Sequence, residues 1–153
     1  MAGSAHDAKN DLTEFAAQGI VCVAPNYRVG PLGFLVPHGG DSNVGFWDAQ
    51  MALQWVQNEI HHFHGDRRSV TIWGQSAGAD LGLFLMVSES SRWLFQQAIL
   101  MSLASLPIKN LDQAHEISQE FASRCFGAGN TQYDPTAESL REVGRLKKMQ
   151  FLM

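Results

Sequence analysis

The chain has 153 residues, of which 45% are hydrophobic and 17% are charged, and its formal net charge at pH 7 is -4. The negative charge argues against a general binder of nucleic acid or anionic membranes, and no apolar run reaches the ~18 residues of a membrane span. The N-terminus MAGSAHDAKND has no apolar signal core, so we expect one soluble domain whose compartment stays open.

The first part of the chain predicts two helices with a strand between them. Apolar residues at helical spacing predict a helix over residues 5–18. The near-continuous apolar run IVCVAP, residues 20–25, is typical of a strand buried on both faces. A long helix is expected from Ser42 or Asn43, either of which could cap it, to about His62. One face of this helix carries large apolar residues: Trp47, Met51 and Trp55.

The second part of the chain alternates strands and helices. Residues 69–73 (SVTIW) and 98–102 (AILMS) predict two more buried strands, with a helix over about 77–87 between them. Helices over about 112–125 and 136–148 close the chain. This alternation predicts an α/β fold in which parallel strands are covered by helices on both faces.

A serine between two glycines follows the second predicted strand. The run Gly74-Gln75-Ser76-Ala77-Gly78 has the G-x-S-x-G pattern of a hydrolase nucleophile. In such an elbow a strand, a very tight turn and a helix raise the serine Oγ above the sheet, and glycines avoid Cβ clashes in the turn. The Ala77 N–H would point to the same place and stabilise an oxyanion. The flanking strand and helix favour an elbow over a chance match.

Four stretches in a fixed order share the pattern of one family: residues 26–35 (NYRVGPLGFL), 43–60, 63–79 and 94–102. They resemble the carboxylesterase type B family, which includes cholinesterases and neuroligin-like adhesion proteins. The resemblance implies that residues 1–153 form a single partial α/β-hydrolase domain. It also implies hydrolysis of small-molecule carboxylic esters through an acyl-enzyme on Ser76, with no metal and no organic cofactor. Relatives are often secreted or in the endoplasmic reticulum.

The same resemblance implies that parts of the catalytic machinery are missing. The family's glycine-rich HGGG loop would precede Met1, and the acid and histidine of the triad would follow Met153. A central strand, between those matching 20–25 and 69–73, would be missing together with the flanking regions, which leaves unpaired backbone groups. We therefore expect the chain alone to be an inactive part of a serine esterase. A non-catalytic adhesion or interaction protein is the alternative, although the retained Ser76 favours the enzyme.

Three further motifs suggest functional groups but have plainer interpretations. Residues 37–41 (PHGGD) resemble a glycine-rich oxyanion loop, yet they follow the strand and loop that they should precede, so a turn is favoured. His115 is the only histidine after Ser76 and could complete the order Ser, acid, His, but its segment is typical of a surface helix. His61 and His64 could share a helix face, but no cysteine or third ligand is near, so no metal site is predicted.

Four polar residues bear on stability or specificity. Arg28 and Asp48 occupy charged positions that the family shares within apolar stretches. We expect them to form an ion pair because a lone buried charge is costly, with two separate solvated charges as the alternative. Gln75 stands where many relatives have glutamate, which weakens the case for cationic choline esters. Asp80 replaces a usually small residue, and its carboxylate could strain the helix after Ser76.

Overall fold

The computed structural model describes residues 4–7, 11–37, 40–104 and 107–126. Two compact units divide the chain: Met1–Tyr27 with Phe46–Pro107, and Arg28–Gly45 with Ile108–Met153. The expectation of one domain over residues 1–153 therefore stays a prediction, and the helix expected over 136–148 lies outside the described residues. No helix within the described part is long and apolar enough to cross a membrane.

Helices and strands follow one another along the chain largely as the sequence predicts. The elements are α1 (Thr13–Ala16), α2 (Pro31–Phe34), α3 (Val44–Glu59), β1 (Thr71–Gln75), α4 (Ala77–Val87), β2 (Gln97–Met101) and α5 (Leu111–Phe126), with 3-10 turns at Ile60–Phe63 and Glu89–Ser91. Helix α4 has the predicted bounds, and both strands lie within two residues of the predicted ones. The prediction of alternating helices and parallel strands is confirmed.

Two predictions for the N-terminal part are wrong. The helix expected over 5–18 is only the four-residue α1 within the described residues, although Gly19 follows it with φ +81°. The Thr13 hydroxyl and then the Thr13 N–H donate to the Asp11 carboxylate, which lowers the Asp11 pKa and turns the chain just before α1. Residues 20–25 are not a strand and are mostly exposed. An apolar run becomes a strand only when a neighbour pairs with it, and no described segment does.

Strands β1 and β2 form a parallel pair in the first unit, and α4 covers one face of it. The register runs from Thr71 opposite Gln97 to Gln75 opposite Met101. Helix and sheet meet at Gly82, where an added Cβ would lie 2.6 Å from Leu100 Cδ2 and 3.5 Å from Ile72 Cδ1. The core behind this contact contains buried Ala49, Leu81 and Leu85, with Tyr27, Phe46, Leu53, Ile72 and Phe95 packed against it.

The opposite face of the sheet is apolar and largely open. The exposed fractions of Trp73 and Ile99 are 49% and 52%, and Met101 is exposed as well. Phe15 of α1 covers part of this face, with its ring 5.0 Å from the Trp73 ring in an edge-to-face arrangement. Among the described residues of this unit, α4 packs against the first face, whereas large apolar side chains of the second face stay exposed.

Helix α3 buries the side opposite its large aromatic residues. Trp47, Met51 and Trp55, the face that the sequence pattern suggests, are all exposed. The buried face carries smaller residues instead: Ala49, Gln50, Val56 and, in the following turn, Ile60. The helical segment ends at His64, whose left-handed backbone has φ +63°.

In the second unit, α5 is tied to the chain that follows α2. The buried Ser118 hydroxyl accepts the Val36 N–H at 2.9 Å and donates to the Ala114 carbonyl at 2.8 Å. A ring nitrogen of His115 lies 3.2 Å from the Val36 carbonyl oxygen. These bonds give His115 a structural position within its own unit.

Candidate active site

Ser76 occupies the turn between β1 and α4, as the elbow prediction requires. Its backbone has φ +55° and ψ -124°, in the left-handed half of the φ range, which non-glycine residues seldom adopt. The Ser76 N–H donates to the Met101 carbonyl at 2.9 Å, across the end of the strand pair. On the helix side, the Ser76 carbonyl accepts the N–H groups of Ala79 at 2.8 Å and Asp80 at 3.1 Å. The serine is thus held by backbone bonds on both sides.

The two glycines of the motif differ in whether the turn leaves room for a side chain. A Cβ at Gly74 would overlap the Gly78 carbonyl group and lie 2.8 Å from the Ala79 nitrogen. A Cβ at Gly78 would meet no described atom within 4 Å. The tight turn therefore demands glycine at Gly74, because the Gly78 backbone lies against that Cβ position. At Gly78 the side-chain position is open.

The polar groups at this turn face outward. Ser76 and Gln75 are exposed, and among the described residues Ser76 Oγ has no hydrogen-bond partner. Ala77 is the first residue of α4, where an N–H group has no acceptor within the helix. The arrangement leaves the Ser76 hydroxyl and the Ala77 N–H at the carboxyl edge of a parallel sheet, where ligands bind in α/β folds.

Asp80 lies one helical turn beyond Ser76 and is buried. Only 3% of its surface is exposed, and its Oδ2 has no hydrogen-bond partner among the described residues. Position in the first turn of α4 is electrostatically favourable for a carboxylate, but burying an oxygen without a partner is costly. The Asp80 side chain therefore places an unpartnered carboxylate oxygen in the interior beside the Ser76 turn.

Two neighbours of Ser76 were not identified from the sequence pattern. The Met101 carbonyl anchors the Ser76 N–H, and Ser102, next along the chain, has a left-handed backbone with φ +51°. A sequence signal does exist, since Ser76 lies three residues after one predicted strand and Ser102 is the last residue of the other. Residues 26 positions apart are paired in the folded sheet, and this pairing brings the two segments together.

The other motifs lie at a turn and at an exposed helix end. Gly40 donates its N–H to the Pro37 carbonyl at 3.2 Å, which is a turn, while residues 38 and 39 lie outside the described residues. The His61 and His64 side chains are exposed, and no group of three His, Cys, Asp or Glu residues in the described ranges could hold a metal. The Arg28–Asp48 ion pair stays a prediction, as these residues belong to different units.

Comparisons with known proteins show what this architecture is similar to. The family model described as "Carboxylesterase family" matches residues 1–147. "Cholinesterase 1" of Branchiostoma lanceolatum is 39% identical over 132 residues, covering 82% of this chain and 37% of that protein. "Acetylcholinesterase" of Bungarus fasciatus is 48% identical over 89 residues, covering 56% of this chain and 14% of that protein.

A solved structure extends the likeness to three dimensions. "PNB ESTERASE" superposes with a TM-score of 0.77 and 33% identity, covering 97% of this chain and 34% of that chain. This chain thus spans a minor part of each relative's length, from 14% to 37% in these three. The match of strands, elbow and helix in order, together with these identities, shows the α/β-hydrolase fold in part. The chain belongs to the carboxylesterase family.

Proposed function

We propose that this chain carries the nucleophile of a serine carboxylic ester hydrolase and that Ser76 is that nucleophile. The observation that carries the proposal is the left-handed Ser76 backbone between β1 and α4, which leaves its hydroxyl exposed at the carboxyl edge of the sheet. Ser76 Oγ would attack the ester carbonyl, expel the alcohol and leave an acyl-enzyme for water to hydrolyse. This chemistry uses neither a metal nor an organic cofactor.

The residues around Ser76 have supporting roles in this proposal. The Ala77 N–H, at the positive end of α4, is the oxyanion donor that this chain supplies. Gly74 permits the tight turn because it has no Cβ to meet the Gly78 backbone. Gln75 is neutral and exposed, which favours an uncharged small-molecule ester over a cationic choline ester. Nucleic acid is not a proposed partner, in keeping with the net charge of -4.

The chain by itself is proposed to be inactive. A serine hydroxyl is a weak nucleophile unless an adjacent base takes its proton. Ser76 Oγ has no hydrogen-bond partner in the described part of the chain, and only one oxyanion donor is assigned. The base, its orienting acid and the glycine-rich loop are proposed to come from other parts of an esterase domain.

The first experiment measures hydrolysis of a p-nitrophenyl ester by the 153-residue chain. Ser76→Ala is the test variant and Ser69→Ala is the control, since Ser69 is an exposed serine just before β1. We expect no turnover above buffer for any of the three proteins. Turnover that is lost in Ser76→Ala and kept in Ser69→Ala would contradict the inactivity proposal while supporting Ser76 as nucleophile.

The second experiment supplies the base, the acid and the glycine-rich loop from an esterase chain. This chain replaces the matching third of the PNB esterase chain, over which the two structures superpose. We expect the chimera to hydrolyse the ester, and Ser76→Ala to lower kcat by about a thousandfold or more, with Ser69→Ala unchanged. A chimera that melts cooperatively yet neither turns over nor reacts with a fluorophosphonate would contradict the nucleophile assignment and support the non-catalytic interaction protein.

A further inference from the structure

A second serine with a left-handed backbone lies beside Ser76. Ser102 has φ +51° and directly follows β2, just as Ser76, with φ +55°, directly follows β1. Gln75 is paired with Met101 in the parallel register. The two serines therefore leave the sheet next to each other at its carboxyl edge, and both are exposed.

The left-handed backbone of Ser102 is costly, and no described helix begins there to explain it. Positive φ values bring the preceding carbonyl oxygen, the Cβ and the next amide into conflict in any residue with a side chain. Such residues persist where the surrounding structure imposes them, and they cluster at active sites. The turn into α4 accounts for the strain at Ser76, but Ser102 begins no helix within the described residues. Its strain calls for a different cause.

A hydrogen bond beside Ser102 joins the two strand ends. The Ser76 N–H donates to the Met101 carbonyl at 2.9 Å, and that carbonyl belongs to the peptide group shared with Ser102. The φ angle of Ser102 sets how the chain leaves this peptide group. We propose that Ser102 is a positioning residue for Ser76, because its left-handed backbone holds the Met101 carbonyl where it accepts the Ser76 N–H. The catalytic meaning of this role rests on the function proposed for Ser76.

Amide hydrogen exchange of the full chain, followed by NMR, tests this role without requiring activity. A branched side chain at positive φ crowds the preceding carbonyl. In Ser102→Val we therefore expect the Ser76 amide to exchange about tenfold faster or more. The Gln96 amide, bonded to the Val70 carbonyl at 2.9 Å at the other end of the sheet, reports global opening and should change by less than about twofold.

Two further variants separate backbone conformation from added bulk. Ser102→Gly removes the Cβ conflict and should keep Ser76 exchange within about twofold of the original chain. Ala104→Val adds the same side chain at an exposed site of the same loop that lacks positive φ, and should leave both amides unchanged.

Unchanged Ser76 exchange in Ser102→Val, or equal acceleration in Ala104→Val, overturns the positioning role. Where Ser102→Val also releases Gln96, the glycine variant decides: retained Ser76 protection supports the role, and its loss overturns it. An inactive esterase chimera would contradict the assignment of Ser76 as nucleophile, but it would not change these exchange rates. The two proposals therefore fail separately.

Discussion

The two faces of the β1–β2 sheet differ in what covers them. On one face α4 brings Gly82 against Leu100 and Ile72 and continues into the core of Ala49, Leu81 and Leu85. The other face leaves Trp73, Ile99 and Met101 exposed apart from the Phe15 contact. Parallel sheets are normally covered on both faces. The packing that stabilises this unit and supports the Ser76 turn therefore lies mainly on the α4 face.

The largest effect is expected from truncating the α4 face. Leu85→Ala removes a buried side chain from the core cluster and should lower the free energy of unfolding by about 3 kcal/mol. Urea denaturation followed by far-UV circular dichroism measures it. Val87→Ala on the same helix is the control, because Val87 is 75% exposed and should change stability by less than about 0.5 kcal/mol. Equal losses would show that the α4 face is not the better packed one.

The glycines of the elbow provide the next test. A methyl group at Gly74 would overlap the Gly78 carbonyl, so Gly74→Ala should lower the free energy of unfolding by about 2 kcal/mol. Gly78→Ala should be neutral or stabilising by up to about 1 kcal/mol, because its Cβ meets open space in a helix. Equal melting temperatures of the two variants in a thermal melt would contradict the close approach of Gly74 to α4.

Replacing Asp80 tests the cost of a buried polar atom that has no hydrogen-bond partner in α4. Removing the unpartnered Oδ2 in Asp80→Ala should raise the free energy of unfolding by about 1 kcal/mol, since a buried polar atom without a partner is costly. Asp112→Ala is the matched control, as Asp112 is an exposed acid in the first turn of α5 and its loss should destabilise slightly. Urea midpoints of both variants distinguish these signs. A loss of stability in Asp80→Ala would mean that its carboxylate has a stabilising role.

The smallest effect is expected on the open face. Ile99→Thr replaces a residue that is 52% exposed and should change the free energy of unfolding by less than about 0.5 kcal/mol. Ile72→Thr, on the paired strand but facing α4, should cost at least about 1 kcal/mol because it buries a hydroxyl. The urea midpoints of the two variants give the difference directly. A larger cost at Ile99 would show that something covers the open face in solution.

Some features of this fold could be predicted from the chain and others could not. The bounds of α4 could be predicted because the glycines and serine around its start mark a turn and the following residues, apart from Asp80, are apolar or glycine. The strand expected over residues 20–25 failed because apolar composition does not supply a pairing neighbour. The face of α3 that becomes buried was also unpredictable, since its aromatic side is as apolar as the side that packs.

The strand, turn and helix at Ser76 could be predicted from the sequence because glycine placement and apolar spacing act locally. The carboxylesterase resemblance could be found there too, because its four stretches keep their order along the chain. The sequence does not show that the Met101 carbonyl accepts the Ser76 N–H, that Ser102 shares the left-handed backbone, or that Asp80 is buried; these appear in the folded chain. These features depend on strands paired across 26 residues, from Gln75 to Met101. Burial and strain are properties of such contacts, so a local pattern indicates where they can occur but not which residues bear them.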